Sequence, residues 1–318
     1  MFHVEHKAKD AESEGRLSAD KINQGSSIAG YHFVNGFQDC ARRWFFRYQL
    51  GIMERYTGKA LSFGLAWHKA IEHFYAGEHP DQALHTGIAL LVAAQRTNRY
   101  QYPEDYTADV ARFPVMFKAW VEQIGKRVLE RYEVLSLEET LSVELPNGFQ
   151  FTGRLDELLK DRETGAVVIA EHKSTSYSLT EMERNVFVGD QLVGYAALLQ
   201  QAKPDLWPLY AGSLLDVTYQ RGARIEARLS TLYYAADEVA RFLLNMTGVL
   251  SELSQKIAAW ESGISDALLF PRNGTACSRF RCPYEPICRK FIDGTTDLPD
   301  TLVRGEPRAF TPEEDSGV

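Results

Sequence analysis

Residues 151–173 read FTGRLDELLKDRETGAVVIAEHK, and the fold turns on how this stretch pairs with itself. Glu171 and Lys173 stand two apart in an apolar run that reads as a strand. Both therefore leave one face, and His172 leaves the other. Asp161-Arg162-Glu163-Thr164-Gly165 has the composition of a turn. A turn centred between Glu163 and Thr164 sets Asp156 opposite Glu171, with about 5 Å between Cβ atoms. Two carboxylates that close repel each other unless a cation compensates. An oxygen-preferring divalent ion, Mg²⁺ or Mn²⁺, suits two carboxylates, a main-chain carbonyl and waters. Asp156 and Glu171 are thus the expected ligands, with the His172 carbonyl as a third. Lys173 is the expected electrostatic partner of a reacting phosphoryl group. The competing reading is an exposed strand face whose charges pair with one another.

Outward from this hairpin the hydrophobic period changes. Upstream, Cys40–Leu50, a segment from Ser62 through Tyr75, Asp81–Asn98 and Ala108–Tyr132 carry apolar residues at helical spacing. Thr140–Leu145, Phe149–Leu159 and Ala166–Lys173 alternate like strands, punctuated by Pro146-Asn147-Gly148 and Gly165. Downstream, Val188–Gln201 is helical, Ser213–Gln220 and Ala223–Leu229 form a hairpin around Gly222, and Ala235–Glu261 is a long helix. Helices, sheet, helix, sheet and helix in that order predict an α/β fold with a central mixed sheet and an N-terminal helical part. One domain is expected over residues 28–292, between polar tails at 1–27 and 293–318.

Four cysteines lie outside the hairpin, Cys40 near one end and Cys277, Cys282 and Cys288 near the other. Sulfur-only ligation suits tetrahedral Zn²⁺ or an iron–sulfur cluster, and the compact set of three lacks the paired CxxC form of common zinc knuckles. Basic residues gather nearby: Arg42, Arg43 and Arg47 around Cys40, and Arg272, Arg279, Arg281, Arg289 and Lys290 around the other three. With Trp44, Phe45, Phe280 and Tyr284 interleaved, they read either as a nucleic-acid surface or as a solvated rim over core aromatics.

The 318 residues are 45% hydrophobic, enough for a sizeable core. A net charge of −8 does not announce a nucleic-acid binder, nor does it exclude a local basic groove. The N-terminus shows no apolar signal region, and the longest apolar run, Ile88 to Ala94, is too short to span a bilayer. A cytoplasmic protein with no membrane partner is expected, and reduced thiols then favour metal ligands or plain core residues over disulfides.

Gly153-Arg154-Leu155-Asp156 with Glu171-His172-Lys173 resembles the PD-(D/E)XK nuclease superfamily, in particular its RecB-type branch. Gly64-x-x-x-His68 upstream and Gln191-x-x-x-Tyr195 downstream match that branch in order, and the one-plus-three cysteines resemble its iron–sulfur nucleases of the AddB and CRISPR-associated exonuclease type. The resemblance spans about Gly36 to Lys290. Leu155 stands where many members have proline. The resemblance implies a restriction-endonuclease-like core and a C-terminal iron–sulfur motif. It implies His68 as a further metal ligand or proton relay, and Gln191 and Tyr195 as groups that contact the substrate backbone. A 4Fe–4S cluster on Cys40, Cys277, Cys282 and Cys288 follows, with Zn²⁺ as the alternative. The implied activity is Mg²⁺- or Mn²⁺-dependent hydrolysis of DNA, as an exonuclease at single strands or ends, in recombination, repair or phage and CRISPR DNA processing. The alternative is a non-catalytic nucleic-acid-binding subunit of such a complex. The chain has no Gly-Lys-Ser/Thr phosphate loop, so any unwinding would come from a helicase or recombination partner.

Overall fold

The computed structural model describes residues 30–56, 59–96, 102–176, 178–279, 282–290 and 296–305. The N-terminal part is helical: α1 (Tyr31–Asp39), α2 (Ala41–Trp44, continued by a π turn over Phe45–Gln49), a short β1 (Ile52–Glu54), α3 (Lys59–Tyr75), α4 (Pro80–Arg96) and α5 (Pro103–Trp120). A π turn over Val121–Gly125 joins α5 to α6 (Lys126–Arg131). The expected single helix over Ala108–Tyr132 thus starts five residues earlier, with Pro103 in the first turn, where its missing N–H costs nothing.

The strands follow as β2 (Tyr132–Glu144), β3 (Gln150–Asp161) and β4 (Val167–Thr175). After α7 (Leu179–Phe187) and α8 (Gln191–Ala202) come β5 (Tyr210–Arg221) and β6 (Arg224–Leu232). Together they form a five-stranded mixed sheet in the order β2-β3-β4-β5-β6. All neighbours are antiparallel except β4 and β5, which are parallel, as the helical crossover between them requires. Gly222 turns β5 into β6 at a φ of 60°. The last elements are α9 (Ala236–Glu261), α10 (Asp266–Leu269), α11 (Gly274–Arg279) and β7 (Leu302–Arg304).

β2 is longer than its alternating stretch predicts. Its first half carries Glu133, Ser136, Glu138 and Glu139, which mask the period, but β3 pairs with it from Tyr132↔Asp161 to Glu144↔Gln150, with a register shift between Val134 and Ser136. The segment expected as a C-terminal tail also contributes structure: β7 pairs antiparallel with β1, and Leu302 is buried there. Residues 1–29 and 306–318 lie outside the described residues.

Apolar layers cover both sheet faces, the arrangement of a restriction-endonuclease-like core. One face packs against α1, α8 and α9 through Phe151, Leu155, Leu192, Ala196, Phe242 and Leu250. The other packs against α3 to α5 through an aromatic layer of Trp67, Phe74, Tyr75, Phe113, Phe117 and Trp120. Among the described residues no helix is long and apolar enough to cross a membrane.

Candidate active site

The turn between β3 and β4 forms as its composition requires. The Asp161 carboxylate accepts the N–H groups of Glu163 at 3.0 Å and Thr164 at 2.9 Å, and Gly165 takes a φ of 75°. The ladder runs from Lys160↔Val167 to Glu157↔Ala170, and its extension puts Asp156 opposite Glu171. There the strands part. The Asp156 side chain takes the N–H of His172 at 2.9 Å in place of a main-chain carbonyl. The opening lets two carboxylates face one gap.

His68 reaches this gap from α3, with Nδ1 3.2 Å from Asp156 Oδ1. Glu72, a competing partner one turn on, is held by Lys69 instead, at 3.0 Å. Glu138 on β2 arrives from the other side, 3.9 Å from His68 Nδ1, its second oxygen 2.8 Å from Arg154 Nε. Donor atoms of His68, Glu138 and Asp156 lie within 4.8 Å of one another. Lys173 ion-pairs with Glu171 Oε1, and the Gln191 amide donates to the same oxygen at 2.9 Å and to Tyr195 Oη at 2.9 Å. Glu171 Oε2 is buried and has no hydrogen-bond partner among the described residues. A buried carboxylate oxygen left unpaired is costly unless something charged approaches it. The imidazole of His68 and the two carboxylates of Glu138 and Asp156, with Glu171 on the adjoining strand, form an acid–histidine group whose oxygens suit Mg²⁺ or Mn²⁺.

The fields in the gap follow from these contacts. Burial opposes ionisation of Asp156, but His68, His172 and Lys173 outweigh it and hold the carboxyl well below its ordinary range. Burial likewise opposes charge on His68, yet the Asp156 charge and hydrogen bond raise its pKa. Burial, then the Asp156 charge, push Glu138 up to about 7. Burial and the Asp156 charge also raise Glu171, against the pull of Lys173. Asp156 is thus the permanent anion of the group, and its neighbours share the protons.

Gly153 explains part of the placement. A Cβ there would stand 2.7 Å from Leu198 Cδ1 and 3.2 Å from Tyr195 Cε1. The strand therefore lies directly on α8, which brings Gln191 and Tyr195 to Glu171. His172 turns its ring to the opposite face, as expected, and keeps only its main chain at the gap. Nothing in the residue pattern singles out Glu138 among the acids of β2. Glu144 ends its strand exposed, opposite Gln150. The signal for Glu138 is conformational, because it is the one described non-glycine residue with positive φ, at 46°.

A family model described as the PD-(D/E)XK nuclease superfamily matches residues 33–289. The chain belongs to the PD-(D/E)XK nuclease superfamily. Such nucleases use divalent metals, in keeping with the acid–histidine group at the parted strands. Among solved structures, a candidate exonuclease from Eubacterium rectale shares 12% identity at a TM-score of 0.44, covering 87% of this chain and 96% of that one. The protein SSO0001 shares 14% identity at a TM-score of 0.24, covering 62% of this chain and 78% of that one. No curated protein matches the chain.

The four cysteines belong to a second locus. Cys40, buried between α1 and α2, neighbours Asp39, whose carbonyl accepts the Asn273 side chain at 2.8 Å. Arg42 donates its N–H to the Pro271 carbonyl at 3.2 Å and ion-pairs with Asp266. Tyr284 Oη donates to the Ile52 carbonyl at 2.9 Å. Burial pushes the Cys282 thiol up, with Cys277 and Cys40 adding to it; Cys288 rises by burial and then by the other three thiols. The thiols therefore share one electrostatic neighbourhood, yet among the described residues no three of them lie within 4.8 Å of one another. Trp44, Phe45 and Tyr284 are buried core residues, so for these three the reading of a solvated rim over core aromatics holds. Arg42, Arg272, Arg289 and Lys290 do line one cleft of about 210 Å³ beside Cys288. Phe280 and Arg281 lie outside the described residues.

Proposed function

We propose that the protein is a Mg²⁺- or Mn²⁺-dependent deoxyribonuclease that hydrolyses phosphodiester bonds, acting as an exonuclease at DNA ends. The observation that carries this reading is the gap between β3 and β4. There Asp156 is oriented by a main-chain N–H, and Glu171 keeps one buried oxygen unpaired beside Lys173. Asp156, Glu171, His68 and the His172 carbonyl would hold the ion, with Glu138 as an added carboxylate. When bound, the ion lowers the pKa of a water and neutralises charge developing on the phosphoryl oxygens.

The remaining chemistry belongs to the chain. Asp156 stays anionic because His68, His172 and Lys173 favour its charged form, so its ligand oxygens are available without losing a proton. Burial opposes charge on Lys173, but the Glu171 and Asp156 charges raise its pKa and keep the ammonium protonated. Lys173 can therefore orient the attacking water and stabilise negative charge on the phosphoryl group. Gln191, bridging Glu171 and Tyr195, fixes the Glu171 carboxylate and directs Tyr195 toward the bound backbone. Preference for DNA, and for ends, is supported by the motif resemblance. Roles in recombination, repair or phage and CRISPR DNA processing rest on the same ground, as does any helicase partner.

A 4Fe–4S cluster on Cys40, Cys277, Cys282 and Cys288 belongs to the same reading. Thiolates on one tetrahedral zinc stand about 3.8 Å apart, given zinc–sulfur bonds of about 2.3 Å. A four-iron cluster spaces its thiolates more widely, and the one-plus-three cysteine resemblance is what supports it over zinc. The cluster would staple α1 and α2 to the loop after α9.

The test is digestion of end-labelled linear and closed circular DNA, single- and double-stranded, with Mg²⁺ or Mn²⁺. Linear DNA alone should be degraded, and Asp156→Ala and Lys173→Ala should be inactive. Equal cleavage by the variants refutes the assignment, and cleavage of circles refutes exonuclease action. A wild-type chain that binds DNA without cleaving it supports the non-catalytic alternative.

A further inference from the structure

The face of β4 opposite the catalytic gap carries a buried network of charges. His172 Nε2 lies 2.7 Å from Glu157 Oε2 on β3, and Nδ1 lies 2.8 Å from Asp216 Oδ2 on β5. Against the effect of burial, the two carboxylates raise the ring's pKa and favour an imidazolium that donates from both nitrogens. Trp120 donates its indole N–H to the same Asp216 oxygen. The Tyr75 ring, from the helix that bears His68, lies 5.8 Å from the imidazole, centroid to centroid. Glu157, His172 and Asp216 are each no more than 2% exposed.

Such a cluster is expensive. A buried ion triad contributes little or nothing relative to apolar side chains of similar volume. Val168 and Ala170, the preceding residues on this face of β4, close it with plain apolar packing. The triad therefore needs a reason to stand at residue 172.

Its position supplies one. The β3–β4 ladder ends at Glu157↔Ala170. Beyond that pair, two contacts hold the strands together at the gap: the His172 N–H to Asp156, and the His172 ring to Glu157. The ring is tied to β5 as well, so it fixes the rotation of its own peptide units. Those units carry the N–H that aims Asp156 and the carbonyl expected to bind the cation. We propose that the Glu157–His172–Asp216 triad is a positioning device: from the back of the sheet it sets the geometry of the metal-binding groups in front. Removing partners that orient metal ligands typically costs roughly 10- to 100-fold in metal affinity. The inference rests on the metal-dependent reading above and is separable from it.

The experiment measures Mn²⁺ affinity of the full-length protein by electron paramagnetic resonance, alongside stability in urea. His172→Gln retains the main-chain N–H and carbonyl but loses the two-sided clamp, and Asp216→Asn keeps the shape while removing one charge. Leu253→Ala, buried on α9 in the other apolar layer and away from the triad and α3, serves as a control for lost stability. The expected result is at least a tenfold weaker Mn²⁺ affinity for His172→Gln, a smaller loss for Asp216→Asn, and wild-type affinity for Leu253→Ala. If His172→Gln does not fold, Asp216→Asn decides alone. Wild-type affinity in the triad variants, or an equal loss in Leu253→Ala, overturns the inference. Asp156→Ala separates the two readings: if it leaves Mn²⁺ affinity unchanged, the metal site itself is wrong; if it abolishes binding while the triad variants bind normally, only the positioning role fails.

Discussion

Glu138→Gln should flatten the pH dependence of stability of the metal-free protein. The Glu138 carboxyl is raised from 4.5 to about 7, first by burial and then by the charge of Asp156. Each pKa unit is worth 1.36 kcal/mol, so ionising Glu138 in the folded chain costs about 3 kcal/mol. The sign follows from the protons. Between 4.5 and about 7 the folded protein keeps a proton that the unfolded chain has released, so stability falls as pH rises through that window. Glu171, also raised, acts in the same direction. His68 adds to the fall at higher pH: its stabilisation is complete below 6.5 and is lost as pH passes its raised folded value. Asp156 has the opposite sign, but its contribution is lost only in acid, as pH falls below 3.8 through its depressed folded value. In chelator, the melting temperature should therefore drop from about pH 5 to about pH 8, by roughly 5–10 °C for the Glu138 share at about 2–4 °C per kcal/mol. Saturating Mn²⁺ should remove most of that drop, because ligation favours the ionised carboxylates. Scanning calorimetry across this range, with and without Mn²⁺, measures both. A wild-type melting temperature that stays level or climbs, or an unchanged slope in Glu138→Gln, refutes the electrostatic account.

Gly64 lies one turn before His68, and a Cβ there would meet nothing within 4 Å. Gly64→Ala should stabilise α3 by about 1 kcal/mol in urea titrations, while raising KM for DNA if the open surface is where the backbone approaches. Gly153→Ala should destabilise by about 1–3 kcal/mol, since its Cβ would collide with Leu198 in a closed core; a stability equal to wild type contradicts the packing. Cys282→Ala should lose the brown colour and bound iron and lower the melting temperature. Wild-type protein purified without oxygen that is colourless and iron-free by elemental analysis sinks the cluster.

The β3–β4 register was legible because turn chemistry is local. With Asp161 and Gly165 bounding the turn, centring it between Glu163 and Thr164 and counting outward places Asp156 against Glu171 with no tertiary information. His68 was legible only through resemblance, since a lone helix histidine has many partners to choose from. Glu138 was not legible at all. Its side chain reaches the gap through a positive φ in a strand whose acids blur the alternation, and neither composition nor period reports a backbone angle. The triad was hidden for another reason: Asp216 lies 44 residues beyond His172, and only the parallel pairing of β4 with β5 brings them together.

The acidic gap is held open by apolar packing at a distance. Trp67 precedes His68 on α3 and packs edge-on against Phe113, Phe117 and Trp120. α4 seals the same helix closely, since a Cβ on Gly87 would stand 2.9 Å from the Ala66 carbonyl. With α3 fixed on both sides, His68 has little freedom to retreat from Asp156. β3 is fixed in the same way by Gly153 against α8. Crowded carboxyl groups would otherwise relax apart as they ionise, and the energy that opposes this relaxation resides in the two hydrophobic layers. Substitutions in the aromatic layer that shift α3 should therefore weaken cation binding through His68, without touching any charged group. Those that leave α3 in place should reduce stability alone.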